Sequence, residues 1–282
     1  MAERTYIVRG AMPRKVLPDL HWLGGCSNSG AWPGRSIHEA RHETTAAYVI
    51  LGSEKTLMVD TGHFGHWYVL QEQLENALQG RTLDYVFPTH QEIPHSGNLG
   101  RLLELYPQAR AVGDVRDYHL FHPEIDLERL RMMQAGDRIS LGDRDFVFLE
   151  AIWKDLTGTM WGYDTKIGAL FTSDGFGMTH MHEDDICDLM PHEMPAAQFE
   201  TYRHRYAAPF VGFRYQNQVA NIAKFRTLQK RFPIKMIVSA HGGPLMEPGL
   251  DDFIEEMFRV FATGDYGPQK VAALGWEHVS KF

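Results

Sequence analysis

The chain has 282 residues, of which 44% are hydrophobic and 23% are charged, as is ordinary for a globular protein with a full hydrophobic core. Its formal net charge of −8 argues against general nucleic-acid binding, because a phosphate backbone is bound by a basic face. A small-molecule substrate fits this charge balance better.

The cysteines and the N-terminal segment bear on the cellular compartment. Cys26 and Cys187 are far apart and form no C-x-x-C pattern, so we expect neither a disulfide framework nor a thiolate metal site. The N-terminal segment lacks the continuous apolar run of a signal peptide, and no segment is long and apolar enough to span a bilayer. These features predict a cytoplasmic protein that does not bind membranes.

Short β-rich runs alternate with helical patterns along the chain. The β-rich runs cover 45–52, 55–62, 83–90, 109–114, 144–152, 167–175 and 234–243, and the helical patterns cover 66–80, 96–107 and 217–232. This alternation predicts an α/β sandwich in a single domain, 1–282. The segment 178–215 is rich in Met, His, Arg and aromatic residues, and we interpret it as a lid or subunit interface; an ordinary surface excursion is the alternative.

The most informative motif is THQEIPHSGNLG, at residues 89–100, between an apolar strand and a helical pattern. It places His90, Glu92 and His95 within six residues. Imidazole and carboxylate groups at this density can bind one or two divalent cations when distant residues complete the coordination. A solvated polar loop is the alternative interpretation of such a short stretch.

Three other apolar runs also end in residues of ligand type: VDTG contains Asp60, FTSDG contains Asp174 and VSAHGG contains His241. Open α/β folds place ligand sites beyond the strand ends, where short loops present side chains to a cleft. We therefore expect these side chains to meet the His90 motif at one sheet edge.

The order of these motifs resembles the metallo-β-lactamase superfamily, in which a strand ending in Asp-x-Gly precedes H-x-[HE]-x-D-H and later His, Asp and His ligands. The resemblance spans roughly residues 43–245 and implies a metallo-β-lactamase αββα sandwich. Most zinc hydrolases of the superfamily carry a second His where this chain has Glu92. The chain is therefore most similar to the flavodiiron branch and its single-domain, oxygen-binding diiron relatives. The sequence motifs TSDGFG and SAHGGP are also similar to those of this branch.

The resemblance implies two metal ions, with iron favoured and zinc or manganese as alternatives. The implied ligands are His90, Glu92, His95, Asp155, Asp174 and His241, with Asp174 shared between the ions. Two positions depart from the family pattern. Pro94 replaces the Asp before the last His of the motif, and Asp155 stands where a His is usual. The second ion then has few protein ligands, which leaves either an open site or a weak one.

Other residues are candidates for supporting roles. The resemblance implies that Asp60 orients the ligands by hydrogen bonding, whereas a turn-forming Asp before Gly62 is the alternative. His63 is a candidate proton donor facing the cleft, or a loop histidine. The candidate substrate-binding residues, in the segment 202–215, are Arg203, Arg205, Tyr206 and Arg214. They suit an anionic or aromatic substrate, or equally a subunit interface in a homo- or hetero-oligomer.

Three functions are compatible with these residues. We expect first a hydrolase that uses a metal-activated water on a small activated ester, lactone or aryl ether. The alternative is a diiron protein that binds oxygen or reduces oxygen or nitric oxide. Reduction needs an electron donor, whereas we expect no FMN domain in this chain, and two isolated cysteines cannot build a rubredoxin-like centre. The third hypothesis is a non-catalytic partner subunit with a degenerate metal site.

Overall fold

Two mixed β-sheets packed face to face form the centre of the molecule. The computed structural model describes residues 14–28, 42–154, 156–177, 179–180, 190–193 and 216–263. All statements about the structure below concern these residues.

The first sheet has eight strands in the order β1-β2-β3-β4-β5-β6-β7, with β12 paired to the start of β3. The strands are β1 (Arg14–Leu17), β2 (Leu20–Asn28), β3 (His42–Leu51), β4 (Thr56–Val59), β5 (Tyr85–Phe87), β6 (Arg110–Gly113), β7 (Leu130–Met132) and β12 (Thr179–His180). Strands β4 to β7 run parallel. The sequence TLMV of β4 is buried throughout, as expected for a parallel strand covered on both faces.

The second sheet has six strands in the order β14-β13-β11-β10-β9-β8. They are β8 (Arg138–Ser140), β9 (Asp145–Glu150), β10 (Met160–Asp164), β11 (Ala169–Phe171), β13 (Met236–Val238) and β14 (Leu245–Met246). Strands β11 and β13 pair in parallel, whereas the other neighbours are antiparallel.

Helices cover the outer faces of both sheets. They are α1 (Trp67–Leu78), α2 (Ile93–Ser96), α3 (Leu99–Leu105), α4 (Tyr118–Phe121), α5 (Gln218–Arg231) and α6 (Leu250–Thr263). Helix α6 buries apolar side chains three and four residues apart, including Phe253, Ile254, Met257 and Phe258, so one face of it packs on the protein. In the described part of the chain, no helix is long and apolar enough to cross a bilayer.

Three hydrophobic clusters define the layers. One lies between the sheets and brings Phe87 of β5 against Phe148 of β9, with ring centroids 5.0 Å apart. A second joins the first sheet to α1 and α3, and a third joins the second sheet to α5 and α6. The order helix, sheet, sheet, helix confirms the predicted αββα sandwich.

The fold brings the ends of its parallel strands to one edge. The β4/β5 pair of the first sheet and the β11/β13 pair of the second both end there. Two backbone hydrogen bonds tie the sheets together at this edge: Ala46 donates to Ala240 at 2.8 Å, and Met160 donates to Thr89 at 2.8 Å. Loops from both sheets therefore meet at a fixed separation, as a ligand site requires.

Candidate metal centre

A cluster of imidazoles and carboxylates occupies this edge. His90, Glu92 and His95 follow β5, and Asp174 follows β11. Each of these four residues offers one ligand atom, and the four atoms lie within 4.8 Å of one another. His241, which follows β13, joins the cluster through Asp174. The structure thus brings together five of the six predicted metal ligands, and the sixth, Asp155, lies outside the described residues.

The two oxygens of Asp174 face different histidines. Its Oδ2 lies 3.6 Å from His90 Nε2, which in turn lies 3.6 Å from Glu92 Oε2. Its Oδ1 lies 3.1 Å from His95 Nε2 and 3.0 Å from His241 Nε2. The carboxylate therefore stands between two sets of donors, as a ligand shared by two cations would.

The donor atoms at this edge fit a bound cation. The Asp174 side chain is 3% exposed, and His95 is fully buried. His95 Nε2 and Asp174 Oδ1 are buried and close together, yet their geometry is not that of a hydrogen bond. Buried polar atoms that converge without bonding one another are the arrangement that a cation between them would satisfy. Imidazole nitrogens with carboxylate oxygens are a donor set typical of iron, zinc or manganese.

The electrostatics of the cluster favour the ionised carboxylates that metal binding needs. Burial opposes ionisation of Asp174, but the charge of His95 and the contact with His241 outweigh it and hold the pKa of Asp174 well below its ordinary value. The neighbouring His90 imidazole likewise lowers the pKa of Glu92, against the opposing effect of burial. The cluster thus places ionised carboxylates against imidazoles at a buried edge.

The far nitrogen of each histidine has a polar partner. His95 Nδ1 lies 3.1 Å from Asp60 Oδ2, and His241 Nδ1 lies 3.1 Å from the carbonyl oxygen of Thr44. His90 Nδ1 lies 3.0 Å from the hydroxyl oxygen of Ser173. Such contacts can accept the Nδ1 proton of each imidazole when its Nε2 binds a metal ion. Asp60 therefore lies where the predicted orienting role requires.

Two residues beside the ligands adopt a backbone conformation that non-glycine residues rarely use. Asp60 has φ 57° and Ser173 has φ 56°. Left-handed conformations of this kind carry strain, and they persist where the surrounding structure fixes them. Both residues contact a ligand imidazole, so the strain is located at the site.

Thr89, Ser173 and the Thr44 carbonyl group were not predicted as parts of the site. Thr89 and Ser173 directly precede His90 and Asp174, and that adjacency was the only signal in the sequence. Hydroxyl residues are common at strand ends, so the pattern alone does not distinguish them from turn formers.

Pro94 lies in the first turn of the short helix α2, directly before the buried His95. Its ring has no donor atom, so the carboxylate that the family pattern has at this position is missing here. Proline is compatible with this position because the first backbone N–H groups of a helix have no partner within the helix. The departure therefore changes the ligand set and leaves the helix intact.

The side chain of His63 makes its described contacts within its own turn. Its Nδ1 accepts a hydrogen bond from the Gly65 backbone at 3.0 Å, and its ring stacks on Phe64. Among the described residues, none of its hydrogen bonds reaches the cluster. Its role as a proton donor stays a prediction.

The predicted substrate-binding residues cannot be placed in the same way. Arg203, Arg205, Tyr206 and Arg214 lie outside the described residues, as does most of the segment 178–215. Their role in substrate binding stays a prediction.

The fold and the cluster define a metallo-β-lactamase-like domain with a His, Asp and Glu metal site. The sequence profile of the ODP family beta lactamases matches residues 44–242. The chain belongs to this family, and within it is similar to flavodiiron proteins.

Curated relatives support this placement. The chain is 29% identical over 266 residues to the coenzyme F420H2 oxidase of Methanothermobacter thermautotrophicus, covering 90% of this chain and 62% of the relative. It is 25% identical over 240 residues to the anaerobic nitric oxide reductase flavorubredoxin of Vibrio vulnificus, covering 80% and 45%. The chain spans about a third to three fifths of the length of these and similar curated relatives.

Solved structures share the fold. The rubredoxin oxygen:oxidoreductase of Desulfovibrio gigas matches with a TM-score of 0.73 and 19% identity, over 88% of this chain and 61% of that one. The flavodiiron protein of Giardia intestinalis matches with a TM-score of 0.69 and 18% identity, over 92% and 60%.

The comparisons overturn the prediction of a hydrolase. The relatives are an oxidase and nitric oxide reductases, so the expectation of a metal-activated water attacking an ester, lactone or aryl ether is wrong. We expected hydrolysis because it needs no electrons from outside, whereas reduction requires an electron donor. A donor need not belong to the metal site, and the carboxylate-rich ligand set, with Glu92 in place of an imidazole, was the better guide.

Proposed function

We propose that this chain holds two iron ions and reduces dioxygen or nitric oxide. The observation that supports this best is the position of Asp174, whose two oxygens face separate sets of donors. The names of the relatives, an F420H2 oxidase and nitric oxide reductases, support the same class of reaction.

Each ion has its own ligands in this proposal. His90, Glu92 and Asp174 would hold the first, and His95, His241 and Asp174 would hold the second, since the Asp174 carboxylate lies beside both sets of donors. Asp155 is a further candidate ligand of the first ion by family resemblance. Mixed carboxylate and imidazole donors suit iron, while zinc and manganese compete for such sites.

Few protein donors per ion leave room for a diatomic substrate. A catalytic metal site keeps at least one position that no protein atom fills, and the replacement of a family carboxylate by Pro94 increases that room. Iron, when bound at these residues, would supply the redox chemistry that the reaction needs. The Glu92 side chain is 55% exposed whereas the other donors are buried, so the cluster opens towards solvent on the Glu92 side.

The reaction needs electrons and protons from outside the site. Nitric oxide takes up one electron and one proton per molecule as two molecules form nitrous oxide and water, and dioxygen takes up four of each to give two waters. We propose that a reduced flavin donor delivers these electrons. A small-molecule substrate for this chain is compatible with its acidic net charge. Assembly into a homo- or hetero-oligomer stays a prediction.

Gas consumption by the iron-loaded full chain tests the proposal. An excess of chemical reductant is supplied without air, and uptake of added nitric oxide or dioxygen is followed with an electrode. We expect catalytic uptake that is lost in Asp174→Asn and retained in His119→Gln, since the His119 side chain is exposed on helix α4 and does not belong to the cluster. No uptake above that of free iron, with two irons bound, would contradict the proposed reaction.

A further inference from the structure

Two hydroxyl groups lie buried between the ligand histidines. The Thr89 hydroxyl oxygen lies 2.9 Å from Asp60 Oδ1, 2.9 Å from the Ser173 hydroxyl oxygen and 3.0 Å from His95 Nδ1. The Ser173 hydroxyl oxygen in turn lies 3.0 Å from His90 Nδ1. Thr89 and Ser173 are both about 1% exposed, so water does not compete for these contacts.

When metal ions bind, the positions of the hydrogen atoms determine which group donates in each of these hydrogen bonds. A histidine that binds a cation through Nε2 carries its proton on Nδ1 and must donate it. His95 Nδ1 donates to Asp60 Oδ2, at 3.1 Å. His90 Nδ1 donates to Ser173, whose own hydroxyl must then find an acceptor.

The Ser173 hydroxyl can donate to Thr89, and the Thr89 hydroxyl can donate to Asp60 Oδ1, because hydroxyl hydrogens rotate to suit their partners. Every hydrogen then has one acceptor. The two imidazoles consequently rely on the same carboxylate, His95 directly and His90 through two hydroxyls.

The geometry points to Thr89 and Ser173 as a hydrogen-bond relay that joins the His90 ligand to Asp60 and so positions the imidazoles of both metal ions. This inference rests on the proposed dinuclear centre, although it applies to any divalent ion bound there. Thr89 and Ser173 are positioning residues, since they act through the histidines.

The backbone supports this assignment independently. Asp60 and Ser173, at the two ends of the relay, are both in the left-handed region. A strained conformation persists only where other contacts fix it. The Thr89 backbone N–H also donates to Asp60 Oδ1, at 2.7 Å, which holds that carboxylate in place.

Zinc binding to the full chain tests the relay without redox chemistry. Competition titration with a chelator measures the affinity of each zinc, and nitrogen-proton NMR of the zinc-loaded protein reports the Nδ1–H signals of His90 and His95. We expect Ser173→Ala to weaken one zinc by about 10-fold or more, and to remove the His90 signal while that of His95 remains.

The Thr89 variants separate a relay from simple packing. Thr89→Val keeps the shape of the side chain but removes the hydroxyl, and we expect it to shift both Nδ1–H signals. Thr89→Ser restores the hydroxyl and should restore both signals and both affinities. Loss of both signals in Thr89→Ser, with the fold intact by circular dichroism, would instead assign Thr89 a packing role and overturn the relay.

Thr159 is the competing partner, with its hydroxyl oxygen 3.4 Å from His90 Nδ1. If Thr159→Val removes the His90 signal and Ser173→Ala leaves it, the relay is wrong. If the unaltered protein takes up no zinc, the relay falls together with the metal centre. A relay confirmed with zinc in a protein that consumes no gas would overturn only the proposed reaction.

Discussion

At the scale of single residues, the site depends on the shared carboxylate. Asp174 is the only member of the described cluster with one oxygen near His90 and the other near His95 and His241. His, Asp and Glu side chains at strand ends were sufficient to predict this cluster, because those residue types bind metals and strand ends meet at an edge. The supporting hydroxyls were not predictable, since their role depends on three-dimensional contacts with His90 and His95.

Removing the charge of Asp174 tests its bridging position. Asp174→Asn keeps the size of the side chain but lacks the negative charge, so both metal ions should bind far more weakly. His241→Ala should affect one ion and leave the other. Metal analysis after gel filtration measures both effects, and equal metal content in the two variants would contradict the shared position of Asp174.

His66 gives a pH dependence to folding. Its imidazole packs on the Gly25 backbone and is buried, and burial, aided by the neighbouring His63, lowers the pKa of His66 from 6.5 to about 4. Between these pH values the unfolded chain binds a proton that the folded chain does not, so stability falls as the pH drops through this window.

Urea unfolding of the metal-free protein across this range measures the effect. His66→Gln should flatten the decline between pH 6.5 and about 4. The exposed His119 supplies the control, and we expect His119→Gln to retain the pH profile of the parent protein. A profile that is equally steep in His66→Gln and the parent would refute this role.

At the scale of elements, seven of the fourteen strands and three of the six α-helices in the described residues were predictable from periodicity, with bounds that differ by a few residues. The run at 83–90 contains β5 (Tyr85–Phe87), and the strand ends there because Pro88 has no N–H for sheet pairing. Helix α6 and strand β10 are among the elements that went unpredicted. Strand β10 is buried at every position, so its sequence MWGYD lacks the alternation that reveals a strand.

Trp153 holds the outer helices on the second sheet. Its ring is 1% exposed, stacks on Phe261 of α6 at 5.2 Å and contacts Phe225 of α5 at 5.7 Å, and its Nε1 donates to Gln218 at 2.8 Å. Trp153→Ala should therefore reduce the free energy of unfolding by about 3–5 kcal/mol.

Chemical denaturation checks this value against an exposed aromatic residue. Tyr68 of α1 is 85% exposed, and Tyr68→Ala should change stability by no more than about 0.5 kcal/mol. Similar changes in the free energy of unfolding for the two substitutions would show that Trp153 does not stabilise the packing of the helices on the sheet.

At the scale of the whole molecule, a buried arginine joins the two sheets. Arg144, between β8 and β9, pairs with Asp164 at the end of β10, with Asp143, and with Asp19 in the turn between β1 and β2. Burial raises the pKa of Asp164, whereas Arg144 and the backbone N–H groups of the following turn oppose that shift. Asp164 is fully buried, so loss of Arg144 leaves an uncompensated buried charge.

Arg144→Met should consequently destabilise the fold by about 3–5 kcal/mol. Arg259→Met is the control, because the Arg259 side chain is 43% exposed and pairs with Glu256 within α6. Thermal unfolding of both variants provides the comparison. A loss of stability in Arg144→Met no larger than that in Arg259→Met would contradict the role of Arg144 in joining the sheets.

The central claim of a dinuclear iron centre built around Asp174 has a direct test in Mössbauer spectroscopy of the full chain loaded with isotopically enriched iron. We expect two iron signals of equal area that become magnetically coupled on oxidation, and loss of that coupling in Asp174→Asn. A single iron signal, or two irons without coupling, would contradict the account.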